Sequence, residues 1–162
     1  MELFPSELIT DWNIINDGVM GGQSTSAYTI RNTGELLFEG TVSLANGGGF
    51  ASVKSSELSK EVPDHFSSVK LLLKGDGHSY YLRLYPDHKE KGVAYVHDFK
   101  TKPDVWQSIE LSLNEFYPTF RGNPIDDMPP LSSNMIRNTG FMIKDGQAGS
   151  FRLLVKSVEM TI

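Results

Sequence analysis

The stretch Val69-Lys70-Leu71-Leu72-Leu73-Lys74-Gly75-Asp76-Gly77-His78-Ser79-Tyr80-Tyr81-Leu82-Arg83-Leu84 places apolar residues at every second position on both sides of a Gly-Asp-Gly turn. Successive side chains of an extended chain point to opposite faces, so this period of two marks half-buried strands. Val69/Leu71/Leu73 and Tyr80/Leu82/Leu84 form the inward sets. Tyr81, Arg83 and Tyr85 share the opposite face of their strand. That face suits stacking on a sugar ring, contact with a partner, or simple cover for a sheet.

The same alternation runs outward in both directions. Tyr28/Ile30 lead through an Asn32-Thr33-Gly34 turn into Leu36/Phe38/Gly40/Val42, which reads as a hairpin. Val93/Tyr95/His97/Phe99, Ile109/Leu111/Leu113, Phe141/Ile143, Phe151/Leu153/Val155 and Val158/Met160/Ile162 follow. No window sustains a helical pattern over three turns. Short helical turns are predicted only at Ser56–Lys60 and Ser132–Arg137, each opened by a serine suited to an N-cap. About eight or nine short strands with regular turn signals predict an all-β chain, a sandwich or barrel. No linker divides the 162 residues, so a single domain is expected over 1–162.

Composition removes several functions. The chain has no cysteine, which excludes disulfides, thiolate metal sites and a cysteine nucleophile. Its net charge is −5, and its densest basic patch, Lys89-Glu90-Lys91, is interrupted by a carboxylate. Nucleic-acid binding needs a positive footprint, so none is expected. No apolar run reaches the length of a membrane span, and no targeting segment is visible; the cytoplasm is the expected compartment.

Catalytic and metal-binding patterns are also lacking. Gly-x-Ser-x-Gly is missing, and His65, His78, His88 and His97 include no i,i+4 pair. His97 shares a strand face with Tyr95 and Phe99 and reads as packed or hydrogen-bonded. Asp17, Asp76, Asp98, Asp126, Asp127 and Asp145 mostly occupy Gly- or Pro-rich segments, where aspartate serves turns. The adjacent pair Asp126-Asp127 has no recognisable cation loop around it. No catalytic residue, metal or organic cofactor is expected.

Glycine is the unusual component, at 15 residues. It concentrates in Asn16-Asp17-Gly18-Val19-Met20-Gly21-Gly22-Gln23-Ser24 and in Asn46-Gly47-Gly48-Gly49-Phe50-Ala51-Ser52, the second of which opens a strand. Neither cluster carries the Lys-Ser/Thr of a phosphate loop. Two such corners mark close chain crossings, either tight packing at a sandwich rim or a ligand-binding corner. Arg-Asn-Thr-Gly occurs twice, ending at Gly34 and Gly140, and shared turn chemistry is the expected cause. From Asn114 to Asn134 strand signals fade and prolines accumulate, so a long functional loop is expected there.

These segments resemble the complex I intermediate-associated protein 30 family. The likeness begins at Asn16–Ser24. It continues through Phe38-Glu39-Gly40, Asn46–Lys54, Lys74-Gly75-Asp76-Gly77 with Tyr80, and Trp106 ahead of Leu111. It ends with Phe120-Arg121-Gly122, Gly140–Ile143 and Gly149–Leu153. The resemblance implies a galactose-binding-like jelly-roll β-sandwich. It also implies a non-enzymatic, chaperone-like binder whose clients are respiratory-complex subunits or assembly intermediates. A carbohydrate-binding module is the alternative, and a glycan-active enzyme a weaker one. The expected working surface joins Asp17, Met20, Gly21, Gly22 and Ser24 to the Phe120, Arg121 and Gly122 loop, with Gly47, Gly48 and Gly49 as a structural corner. Arg121 beside an aromatic is a hot-spot pairing, or else a staple to Asp126, Asp127 or Asp17.

Overall fold

The structure is a computed structural model that describes residues 1–87 and 92–162, without the side chains of Val19 and Met20. His88 and the Lys89-Glu90-Lys91 patch lie outside the described residues. The first strands are β1 (Glu2–Phe4), β2 (Trp12–Asn16), β3 (Thr25–Ile30), β4 (Leu36–Val42) and β5 (Ala51–Ser55). The middle of the chain forms β6 (Ser68–Lys74), β7 (Ser79–Pro86), β8 (Val93–Lys100) and β9 (Trp106–Ser112). The last are β10 (Tyr117–Phe120), β11 (Asn123–Pro124), β12 (Ile136–Ile143) and β13 (Gly149–Thr161). One sheet has the order β3-β4-β13-β6-β9, with β1 also paired to β13; the other runs β11-β10-β8-β7-β12-β5-β2. The named strands pair antiparallel throughout. The chain is therefore an all-β sandwich.

The alternation sets the core. Leu36, Phe38, Val69, Leu71, Leu73, Phe151, Leu153 and Val155 of one sheet meet Val53, Tyr80, Leu82, Leu84, Tyr95, Phe141 and Ile143 of the other in one cluster. Edge contacts between rings, such as Phe38 on Phe151 at 5.0 Å, help fix the packing.

The hairpin at Asn32-Thr33-Gly34 forms as expected, closed by a hydrogen bond from Gly34 N–H to the Arg31 carbonyl at 2.8 Å. Gly75-Asp76-Gly77 joins β6 to β7 as expected, and carries the chain from one sheet to the other. Four other expectations change. Phe151–Val155 and Val158–Ile162 are not two strands. They are halves of β13, whose register shifts at Lys156; this bulge moves the inward residues from odd to even numbers. The second Arg-Asn-Thr-Gly lies inside β12, so turn chemistry does not explain the repeat. The Asn114–Asn134 segment is not an irregular loop, since it holds β10, β11 and two short 3-10 turns. Ser132 precedes one of those turns, whereas Ser56–Lys60 forms no helix.

Candidate functional site

The two glycine-rich corners close on one carboxylate. At the end of β2 the chain enters a 3-10 turn, Asp17–Met20, which Gly21 ends at φ 87°. This turns the Asp17 side chain inward, where it is fully buried. Its Oδ1 accepts the Ser24 N–H at 3.0 Å, and Oδ2 accepts the Ser24 hydroxyl at 2.6 Å, the Gly49 N–H at 2.6 Å and the Phe50 N–H at 3.1 Å. A Cβ on Gly22 would stand 2.4 Å from the Asp17 carboxyl carbon, and one on Gly48 would stand 2.7 Å from Oδ2. Burial pushes the carboxyl up, but the hydrogen bonds from Ser24, Gly49 and Phe50 outweigh it and hold the group below the ordinary aspartate value. Among the described residues no cation pairs with it.

This corrects the expected rim. Asp17 and Ser24 are buried and saturated and present no contact surface, whereas Gly22, packed close to Asp17, is half-buried. Gly21 and Gly47 are exposed, with φ of 87° and 73°. The Met20 side chain lies outside the described residues.

Phe120, Arg121 and Gly122 occupy the opposite corner. Phe120 faces Asn123 across a two-residue hairpin loop, with Arg121 at φ 50° and Gly122 at φ 85°. Both left-handed conformations together make the loop a type I′ turn. The Arg121 N–H donates to the Gly92 carbonyl at 3.0 Å, and its exposed guanidinium lies 5.1 Å from the centre of the Phe120 ring. Among the described residues it pairs with no carboxylate, so the staple to Asp126, Asp127 or Asp17 is not made. β10 stands five strand steps from β2, about 24 Å at the usual spacing. Cross-strand register also puts Asn16 level with Ala51 and Ile143, near Tyr81, whereas Phe120 is level with Val93 at the far end. The structure does not bring the two expected halves together.

A different surface gathers chemistry. Tyr81, Arg83 and Tyr85 do face away from the core. Register aligns Asn13, Lys54, Gly140, Arg83, Val96 and Tyr117 in one row across the outer face of the seven-stranded sheet. Gly140 makes the row possible: a Cβ there would stand 2.5 Å from the Val53 carbonyl oxygen and 3.3 Å from the Tyr85 ring. Lys54 Nζ lies 4.2 Å, and the Arg83 guanidinium carbon 5.3 Å, from the centre of that ring. Arg83 Nη1 donates to the Met142 sulfur at 3.3 Å, while the buried Nε has no partner. Arg83 and Tyr85 are each 9% exposed and Met142 8%.

Toward one end of this face the Tyr81 hydroxyl donates to Asp145 at 2.5 Å, and Lys144 Nζ lies 4.7 Å from the Tyr81 ring centre. Burial and the hydrogen bond to Asp145 push the Tyr81 hydroxyl up. Tyr117 is 40% exposed. Sequence reasoning put Tyr81, Arg83 and Tyr85 on this face but did not place Lys54, Gly140, Met142, Lys144 and Tyr117 there, which only cross-strand register brings alongside. A glycine in mid-strand, at Gly140, was the available signal.

The remaining carboxylates serve structure or face water. Asp76 accepts the His78 N–H at 3.1 Å, the Tyr80 hydroxyl at 2.9 Å and the Arg152 N–H at 2.7 Å. Asp126 and Asp127 are exposed. His97 packs on the Phe116 ring, with Nε2 at 3.3 Å from Glu115. Among the described residues no three His, Cys, Asp or Glu side chains are grouped to hold a metal ion.

The profile of the Complex I intermediate-associated protein 30 family matches residues 2–155. The chain belongs to this family. An uncharacterised protein of Schizosaccharomyces pombe is 25% identical, over 91% of this chain and 76% of that protein. Among solved structures, a family 11 carbohydrate-binding module from Clostridium thermocellum, in complex with a β-1,3-1,4-mixed-linked tetrasaccharide, is 15% identical. It matches over 99% of this chain and 94% of that one with a TM-score of 0.69. An agarase matches over 100% of this chain and 24% of its own, at 12% identity and a TM-score of 0.60. These likenesses place the family chain among galactose-binding-like jelly rolls. Among the described residues no helix is long and apolar enough to cross a membrane.

Proposed function

We propose that this chain is a non-catalytic binding module, a chaperone-like protein-interaction domain for subunits or assembly intermediates of a respiratory complex, in line with its family. The observation that carries the reading is the outer face of the seven-stranded sheet, where Tyr81, Arg83, Tyr85, Met142 and Tyr117 stand side by side. Tyr, Arg and Met are the residue types enriched in protein interfaces, and Tyr and Arg dominate their hot spots. The exposed Arg121–Gly122 hairpin tip is proposed as a second, separate contact.

Carbohydrate binding at the same face is the second reading. Tyr81 is half-buried with its hydroxyl bonded to Asp145, and the exposed Tyr117 stands two strands away, so rings and acceptors together suit a sugar. The tetrasaccharide complex of the structural neighbour supports considering it. Capture from native-host membranes, run in parallel with a glycan array, separates the two. Respiratory subunits retained by the parent and lost with Tyr81→Ala support the protein reading. Glycan binding without a protein client supports the other.

A further inference from the structure

We propose that the Arg83 site on the outer face reads a carboxylate, presented by an acidic segment of a protein partner; the inference rests on the working face assigned above. Arg83 is nine-tenths buried on a sheet face, yet its Nε has no acceptor, and Nη1 has only the Met142 thioether at 3.3 Å. A thioether is a weak acceptor, and methionine rotates easily, so this contact yields readily to a better one. Buried polar groups are normally paired, and a guanidinium that is not calls for a ligand.

A carboxylate is the group that fits. The guanidinium presents its Nε and Nη donors as a planar fork that two carboxylate oxygens match. The surrounding charge agrees. Lys54 flanks Arg83 across Gly140, with both cations on the Tyr85 ring, and Lys144 stands over Tyr81. The described residues level with Arg83 or in the adjoining row of Asn138, Tyr85, Ala94 and Thr119 include no acid. Asp98 and Asp145 sit at the Tyr81 end, and Asp145 is already bonded to the Tyr81 hydroxyl. A net charge of −5 makes this cationic row a local exception, which steers an acidic peptide to it.

The Arg83 Nε–H resonance in a proton–nitrogen correlation spectrum reads the site directly. Titration with hexaglutamate should shift that resonance saturably, and hexaglutamine should leave it in place. Arg83→Lys keeps the charge but removes Nε, and is expected to weaken hexaglutamate binding about tenfold or more. An unmoved Nε resonance overturns the proposal, whether or not the variant folds. So does a shift produced only by oligogalacturonate, which would make the partner an acidic glycan. Retention of respiratory subunits by Arg83→Lys at parental strength would overturn this inference while leaving the proposed function standing.

Discussion

The Gly49 N–H donates to Asp17 Oδ2 at 2.6 Å, joining two corners 32 residues apart. Both glycine-rich signatures are therefore one structure: a buried carboxylate wrapped in backbone that comes close because Gly22 and Gly48 have no side chain to hold it off. Gly22→Ala should destabilise by about 1–3 kcal/mol through overpacking against Asp17. Gly18→Ala, with nothing within 4 Å of the new Cβ, should stay within about 0.5 kcal/mol of the parent. Chemical denaturation of both variants checks the contrast, and equal losses would contradict it.

Asp17→Asn puts an amide among four donated hydrogen bonds and should cost on the order of 3 kcal/mol. The carboxyl groups of Asp17 and Asp76 are both held below their ordinary values. For each, burial works against ionisation and is outweighed, by Ser24, Gly49 and Phe50 in one case and by His78, Arg152 and Tyr80 in the other. A depressed native value means the folded state releases the proton more readily. The stability this gives is complete above the unfolded value, about 3.9, and is lost as pH falls through the lower native values. Unfolding free energy measured from about pH 5 down to pH 2 should fall less steeply in Asp17→Asn than in the parent. Identical slopes would show that Asp17 is not the titrating group.

Arg121 holds a left-handed conformation that asparagine adopts at less cost, and Asn-Gly is the preferred type I′ pair. Arg121→Asn should therefore raise stability by about 0.5–1 kcal/mol. If the hairpin tip is a client contact, the same variant binds more weakly while melting higher. A variant that melts lower would mean that the arginine side chain supports the fold.

Much of the sandwich was legible because alternation records burial directly: Leu36/Phe38, Tyr80/Leu82/Leu84 and Phe141/Ile143 all point inward. Parity failed at Lys156, where one extra residue makes a single strand look like two. The prolines of the Asn114–Asn134 segment hid β10 and β11, because Pro118 and Pro124 sit in strands near a sheet edge, where proline is tolerated. The site was harder to read. Asp17 looked like an exposed turn residue, since sequence shows that glycines lie beside an acid but not which way the acid points. Lys54, Gly140 and Arg83 are far apart in the chain, and only strand register aligns them.

The outer face of the seven-stranded sheet is the central claim, and a double variant tests it most directly. Tyr81→Ala with Tyr117→Ala removes two rings that reach solvent, both away from the main core cluster. The measurement is retention of respiratory-complex subunits from native-host membranes by parent and double variant, each first shown to be folded by its circular dichroism spectrum. The account predicts that the parent retains them and the folded double variant does not. Equal retention by both proteins would contradict it.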